Sequence, residues 1–547
     1  MARNTDSYGS ARWANAQDLE SEGLFTFPDF QHSADCFASR QARQTFISSN
    51  RSNRCMVLGR LVNPETLVSG IRQGYDSAMS SLMGGFSKLL GGGNSGKLLG
   101  WAGDGHVITV APTRSGKGVG LVIPNLLHYP GSVIVIDPKG ENYAVTAEFR
   151  RKMFNQEIVC LDPFGVVSKQ TDSINPLDGL VDYRKNPCTY LEQNPQLVDI
   201  AANIAESLII REVGAKDPHW DDKARSLIKG LILAVICGKA GRQRHLRKVR
   251  EILTRPLGEL ARFLNEEMQK DKSALDGLLS RAASEINSCG REEFTSVISS
   301  AIKHTEFLDS SLVCKSLGDY EYSGEGSYDL GDLKTLGGVS IYMVIPPEHL
   351  QRYSRLIRIW ITMAMASMTR TMGKPADGCP VLFMLDEMAQ LGTLPMMKQA
   401  VSLLAGYGMS IWMVWQDLSQ LKALYEHDWP TFLANAKIQQ FFGINDHETA
   451  KYISEMLGAA TISVSSYSSG TSGKATELFK SSNKSESVSE VTRNLLNPDE
   501  VRRLNRSAVL TFVQGIPPIL AQRITYYNDN MFQSKAIQNP YFLSTTN

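Results

Sequence analysis

Two hydrophobic patterns alternate along the chain. Short apolar runs rich in β-branched residues predict strands at 107–110, 132–136, 158–161, Val339–Ile345, Val381–Leu385 and Ser410–Trp415. The runs are continuous rather than alternating, which suits strands covered on both faces in a parallel sheet. Longer stretches with a 3.6-residue period predict helices over Leu191–Arg211, Trp220–Cys237, His245–Glu267 and Leu350–Thr369. Strand signals vanish between about Arg184 and Tyr328 and then return. The pattern therefore predicts an α/β core in two parts, 106–183 and 329–547, interrupted by an all-α insert at 184–328. Residues 1–105 read as an N-terminal segment that precedes the core, with Gly84–Gly100 as a mobile loop or hairpin. The Ser-, Gly- and Lys-rich stretch Ser463–Glu490 reads as a flexible loop. Its Lys474, Lys480 and Lys484 could reach phosphates if it faced a pore.

The first core strand runs into a tight turn, Ala111-Pro-Thr-Arg-Ser-Gly-Lys-Gly118, and a helix is expected from Val119 to His128 with Pro124 as its kink or boundary. Backbone N–H groups in such a turn point at phosphate oxygens, and a lysine there supplies a point charge for the β- and γ-phosphates. Thr113, Arg114, Ser115, Gly116, Gly118 and Val119 are the expected lining, and Lys117 the phosphate-binding cation. The fit to G-x-x-x-x-G-K-[ST] is imperfect, because Ala111 replaces the first Gly and Gly118 replaces the hydroxyl that binds Mg²⁺. Thr113 or Ser115 could supply that hydroxyl. A dinucleotide fold is the rival, since Gly116-x-Gly118-x-x-Leu121 approaches G-x-G-x-x-G and Asp137 follows about 20 residues on. Its third Gly is missing and a Lys occupies the turn.

A second strand, Val381-Leu-Phe-Met-Leu385, ends in Asp386 and Glu387. Two acids at the end of a buried strand are unfavourable unless they face a cleft and a cation. Asp386 is the expected Mg²⁺ ligand and Glu387 the base that polarises an attacking water. An N-cap role would account for either acid but not easily for both. Gln416 ends the next strand, where an amide can orient water or sense a γ-phosphate; capping is the plainer reading.

Composition leaves room for a large enzyme and little else. The chain has 547 residues, 42% hydrophobic and 21% charged, with a net charge of +1. That balance gives no global basic field, so any DNA contact must come from local patches. Eight cysteines without a C-x-x-C pair, and nine histidines without H-x-x-x-H spacing, predict reduced thiols and no zinc site. The basic cluster Arg242, Arg244, Arg247, Lys248 and Arg250 lacks interleaved aromatics and reads as a solvated helix face, with a DNA patch as the alternative. Trp220 reads as a packing anchor.

The segments Gly9-Ser-Ala-Arg-Trp-Ala14, Ala111–Gly118, Asp137-Pro-Lys-Gly-Glu-Asn142, Leu161-Asp-Pro-Phe164, Asn175-Pro-Leu-Asp178, Leu385-Asp-Glu-Met-Ala-Gln-Leu-Gly392, Gln416-Asp-Leu418 and Phe442-Gly-Ile-Asn-Asp446 resemble the VirD4/TraG type IV coupling proteins, in order. The resemblance implies a RecA-like P-loop NTPase with an inserted all-α domain that recognises cargo. It implies a hexameric ATPase using ATP and Mg²⁺, with a monomer plausible in dilute solution. Expected partners are relaxase–DNA complexes or effector proteins, and the ATPases and inner-membrane components of a type IV secretion channel. Relatives usually begin with transmembrane helices. Here the longest apolar run near a helix, Leu231–Cys237, falls far short of the roughly 20 residues a span needs. Met1–Glu22 is polar and shows no signal peptide. The expectation is a cytoplasmic protein recruited to the inner membrane. No Arg lies between Met388 and Gln416 to serve as an arginine finger. A nucleotide-gated adaptor without turnover is the alternative function, and a DNA helicase the third.

Overall fold

The apolar runs assemble into one 12-stranded sheet in a computed structural model that describes residues 10–14, 16–19, 24–29, 39–61, 96–178, 197–211, 219–238, 243–269, 275–319, 327–334, 338–472 and 481–542. In chain order the strands are β1 Leu24–Phe27, β2 Met56–Arg60, β3 Leu98–Trp101, β4 His106–Val110, β5 Val133–Ile136, β6 Glu157–Leu161, β7 Val339–Met343, β8 Val381–Leu385 and β9 Met409–Trp415. They continue with β10 Ala436–Phe441, β11 Ala459–Ser472, β12 Ser481–Asn494, β13 Ala508–Val513 and β14 Ile519–Gln522. The sheet order is β1-β3-β2-β14-β13-β10-β4-β9-β8-β5-β7-β6. From β10 to β6 every pairing is parallel. From β1 to β10 every pairing is antiparallel. All residues of β4, β5, β8 and β9 are buried, as their unbroken apolar runs require. One strand, β9, separates β4 from β8. The carboxyl ends of β4, β9, β8 and β5 therefore stand side by side, which is where open α/β sheets bind ligands.

Several expectations change. The segment before residue 105 does not stand apart from the core, because β1, β2 and β3 extend the same sheet. Asn125 locks them to the helix after the phosphate turn, accepting from Val57 N at 2.8 Å and donating to Val57 O at 2.9 Å. Gly84–Gly100 was expected as a mobile loop or hairpin; its last residues belong to β3, paired antiparallel with β2, where Gly100 packs against Phe27 and Cys55 too closely for any Cβ. The rest of that stretch lies outside the described residues. Ser463–Glu490 falls largely within the paired strands β11 and β12, a two-stranded antiparallel sheet, rather than a structureless loop. Serine and threonine are the commonest residues of both strands, so the sequence carries little hydrophobic contrast there. Lys474 and Lys480 lie outside the described residues.

Every described element between β6 and β7 is helical. His245–Glu267, expected as one helix, breaks at Pro256 into Leu246–Leu253 and Leu257–Arg262, followed by a π-turn at Phe263–Glu267. The chain leaves and rejoins the core at adjacent points: Tyr328 N donates to Ser173 O at 2.9 Å. Helix Pro347–Thr369 holds the insert from below. Its Arg358 is buried and donates to Ser207 O (2.7 Å) and Ile209 O (3.0 Å), and on its other side to Leu391 O (2.6 Å) and Thr393 O (2.9 Å).

The described part of the basic cluster is largely paired within the insert rather than a solvated face. Arg244, His245 and Arg250 are buried. Arg250 forms a bidentate pair with Asp309 at 2.8 and 2.7 Å; Arg247 reaches Asp319 at 3.2 Å and Lys248 reaches Glu251 at 2.9 Å. Arg242 lies outside the described residues. Trp220 is not a packing anchor; it is 38% exposed, edge-on to His219. Among the described residues no helix is long and apolar enough to cross a membrane. The described cysteines are free thiols.

Candidate nucleotide-binding site

The turn after β4 is built for close approach to a ligand. Arg114 sits at φ +63° and Gly116 at φ +87°, both in the left-handed region. That conformation is ordinary for Gly and strained for Arg, a pattern that concentrates at functional sites. Gly118–Val122 then forms a π-turn that passes into the short helix Ile123–Leu126, with Pro124 in its first turn. Gly116 and Gly120 are fixed by a neighbour far along the chain. The Arg523 side chain, just past β14, lies across both, so that a Cβ at Gly116 would stand 1.4 Å from its Nη1 and one at Gly120 2.4 Å from its Cγ.

Beyond the turn lies a cavity of about 550 Å³. It gathers Thr113, Arg114, Gly116, Lys117, Gly118 and Val119 from the turn, and Asp386, Glu387 and Gln416 from the ends of β8 and β9. Lys117 is nearly buried, with Nζ 3.6 Å from Glu387 Oε1. Gln416 bridges the two halves: its Oε1 accepts from the Thr113 hydroxyl at 3.0 Å and its Nε2 donates to Glu387 Oε2 at 3.4 Å. So the strand that separates β4 from β8 delivers an amide between the lysine and the acids. Gln416 is not merely a cap; the helix Leu418–Tyr425 is capped by Asp417. Thr113 has its hydroxyl already engaged. Ser115 does not line the cavity, and its buried Oγ finds no partner; it faces Gly443, where a Cβ would stand 3.1 Å from its own. Gly118 has open space where a side chain would be.

Asp386 has the character of a cation ligand. Its Oδ1 is sealed from solvent and has no hydrogen-bond partner. Desolvation pushes its carboxyl up to about 7, opposed by Lys117. An orphaned carboxylate oxygen beside a phosphate-binding turn fits Mg²⁺, whose other ligands would be nucleotide oxygens and water, since no cluster of three or more His, Cys, Asp or Glu occurs among the described residues.

Sequence reasoning did not place four contributors in the site. Asp137, at the end of β5, lines the cavity, is buried, accepts from Tyr143 N at 2.8 Å, and is raised to about 7 by burial. Lys139 lines the same wall and, after Lys117, opposes the rise that desolvation imposes on the Asp386 carboxyl. The motif Asp137–Asn142 was legible, but only the sheet order puts β5 beside β8. Pro347, Leu350 and Gln351 close the cavity from the start of helix Pro347–Thr369. Arg523 carried no local signal at all.

A lysine in a glycine turn at the end of one parallel strand, with an acid pair two strands away, defines a P-loop nucleotide-binding protein of the RecA-like kind. The comparisons place it further. The profile of the family described as "Type IV secretory system Conjugative DNA transfer" matches residues 69–546, and the chain belongs to that family. It is 28% identical to the conjugal transfer protein TraG of Escherichia coli, over 97% of this chain and 78% of that one. It is also 28% identical to VirD4 of Rhizobium rhizogenes, over 78% of this chain and 59% of that one. Its fold resembles the plasmid coupling protein TrwB, solved with the non-hydrolysable ATP analogue ADPNP, at a TM-score of 0.55 and 15% identity, covering 85% of this chain and 93% of TrwB.

Proposed function

We propose that this chain is a coupling ATPase that brings DNA–relaxase complexes or effector proteins to a type IV secretion channel and uses ATP turnover to drive their transfer. The observation that carries the reading is the convergence of Lys117, Asp386, Glu387 and Gln416 on one cavity. Lys117 compensates the β- and γ-phosphates, and the turn's N–H groups hold their oxygens. Asp386 would hold Mg²⁺, which when bound neutralises charge on the phosphates. Glu387 accepts a proton from the attacking water, and Gln416, within hydrogen-bonding range of Glu387, orients that water. The family to which the chain belongs supports the transfer role. A RecA-like site without an arginine on the strand-to-strand stretch 388–416 is completed by a neighbouring copy, which supports a hexamer as the active form and a weakly active monomer. Action at the cytoplasmic face of the inner membrane follows from the same role.

The test is Glu387→Gln in the full chain, read both as ATP turnover and as cargo transfer in cells lacking the wild-type protein. The expected result is nucleotide binding near wild type, turnover down at least about 100-fold, and transfer lost. Loss of turnover with transfer intact would replace the motor by an adaptor gated by nucleotide binding alone. Wild-type turnover would remove Glu387 from the chemistry.

A further inference from the structure

The carboxyl ends of four parallel strands meet at the phosphate cavity in the order β4, β9, β8, β5. The turn after β4 brings Lys117, β9 brings Gln416, β8 brings Asp386 and Glu387, and β5 brings Lys139. The acid pair therefore has a lysine on either side of it. β5 is the direct neighbour of β8, so the two strand ends stand about 5 Å apart, within the reach of a lysine side chain. The charge of Lys139 acts on the Asp386 carboxyl.

The turn that carries Lys139 is fixed. Gly140 N donates to Asp137 O at 3.1 Å and closes the turn Asp137-Pro-Lys-Gly140. Pro138 takes its second position, which suits a locked φ, and Gly140 its last, at φ +71°. A Cβ on Gly140 would stand 2.2 Å from Val167 Cγ1, so the turn is packed from behind. The Asp137 carboxylate accepts from Tyr143 N at 2.8 Å and pins the start of helix Glu141–Phe154. The Lys139 side chain is exposed, and it forms no ion pair or hydrogen bond among the described residues. A rigid backbone thus presents an uncommitted cation to the wall that holds the acids. Lys117, by contrast, is nearly buried and paired with Glu387 at 3.6 Å.

Hydrolysis of a triphosphate spreads charge over the equatorial oxygens of the terminal phosphoryl group, and a cation aimed there counts most in the transition state. Lys117 approaches that group from the β4 side. The stretch 388–416 offers no arginine to approach it from the other. Lys139 stands on that other side.

We propose that Lys139 is a catalytic cation of this site, contacting the terminal phosphate of the bound nucleotide from the side opposite Lys117. The proposal rests on the ATPase reading above. In the step it assists, the oxygen of water bonds to the γ-phosphorus while the bond from that phosphorus to the departing ADP oxygen breaks, and the water's proton passes to Glu387. Lys139 stays protonated throughout; it supplies charge and neither gives nor takes a proton. It belongs to the same chain as Lys117, so it adds to a finger from a neighbouring copy rather than replacing it.

The test uses the full chain, with steady-state ATP turnover and calorimetry on ADPNP and on ADP with aluminium fluoride, a mimic of the transferring phosphoryl group. In Lys139→Ala, kcat should fall about 100-fold while KM and the Kd of ADPNP stay within about three-fold of wild type. The aluminium fluoride complex should bind about 100-fold more weakly. Lys139→Arg should keep turnover within about ten-fold of wild type, and Lys139→Gln should behave like the alanine variant. Lys139 is exposed, so none of these changes threatens the fold. Mixing Lys117→Ala with Lys139→Ala chains should give no more turnover than the two alone. Recovery on mixing would place Lys139 in a neighbouring copy's site and overturn the assignment. Unchanged kcat in Lys139→Ala, or equal weakening of ADPNP and the aluminium fluoride complex, would also overturn it. A wild type with no turnover would instead remove the ATPase reading, and this proposal with it.

Discussion

The nucleotide cleft and the helical insert both carry charged side chains at low exposure, and they treat them in opposite ways. In the insert, Arg250 is matched by both oxygens of Asp309, and Arg247 by Asp319. In the cleft, Asp386 Oδ1 has no hydrogen-bond partner, and Glu387 pairs with Lys117 at 3.6 Å. A buried charge that is fully paired holds a structure together. One left unpaired destabilises the empty protein and makes sense only if a ligand completes it. The sign and spacing of charges along the sequence do not separate these cases; the basic cluster in the insert reads in sequence as a solvated helix face, yet Arg244 and Arg250 are buried.

The largest expected effects set the two regions against each other. Lys117→Ala should lower ATP turnover by at least about 1,000-fold, with thermal stability near wild type, because its ion pair with Glu387 is long, at 3.6 Å. Arg250→Met should do the reverse. It removes the Asp309 pair and the bonds to Ile302 O and Thr305 Oγ1, and should destabilise the protein by about 1–2 kcal/mol, while ATP affinity per folded molecule is unchanged. Chemical denaturation and nucleotide titration on both variants check the pair. If Arg250→Met also weakens ATP binding, the insert and the cleft are one energetic unit, and Arg358 is the natural link between them.

Much of the cleft was legible because its residues are local to strand ends. Lys117, Asp386, Glu387 and Gln416 each follow an apolar run, and a parallel sheet brings such ends to one edge. What was not legible depended on pairing across long separations. Nothing near Arg523 announces that it crosses Gly116 and Gly120, although four-residue glycine spacing in a helix start signals a close neighbour. The strands β1, β2 and β3 were missed because each is only four or five residues long and pairs antiparallel at the sheet's far edge. The hairpin β11–β12 was missed because its residues lack hydrophobic contrast, so period and face carried no information.

His106 tests whether an orphan polar group always marks a ligand. It stands at the start of β4, the opposite end from the phosphate turn. Its Nδ1 accepts from Ile411 N at 3.1 Å, which puts the ring proton on Nε2, and that atom is buried without a partner. Burial lowers its pKa from 6.5 to about 4. The unfolded chain therefore binds this proton first as pH falls. Stability from His106 is complete above about pH 6.5 and is lost progressively between there and about pH 4. Between pH 7 and pH 5 the wild type should lose about 2 kcal/mol more than His106→Gln, by urea unfolding. Equal losses would mean that the ring titrates freely.

Asp386→Asn sharpens the cleft side of the comparison. Replacing an orphaned carboxylate with an amide removes a desolvated charge, so the empty protein should gain about 1–2 kcal/mol when unfolded without nucleotide or Mg²⁺. The same variant should lose the Mg²⁺ dependence of ATP binding. A variant less stable than wild type would show that Asp386 has a structural partner after all.

The smallest effect belongs to Gly118. Other P-loops place a Mg²⁺-binding hydroxyl at this position. Here a side chain would meet nothing within 4 Å, and the residue is not among the glycines held at positive φ. Steric need therefore does not explain the glycine, in contrast to Gly116, held at φ +87°, and Gly120, where the Arg523 stem and Ile524 O leave no room for a Cβ. Gly118→Ser should be tolerated within about 0.5 kcal/mol of wild-type stability. Its hydroxyl would join Asp386 at the cation, so the Mg²⁺ concentration that half-saturates ATP binding should fall by about two- to five-fold, with turnover changed little. Gly116→Ala, made beside it, should collapse the turn and lose binding. If Gly118→Ser instead weakens Mg²⁺-dependent binding, the open space at Gly118 is occupied in the loaded site by something that a side chain displaces, and the glycine is there to admit it.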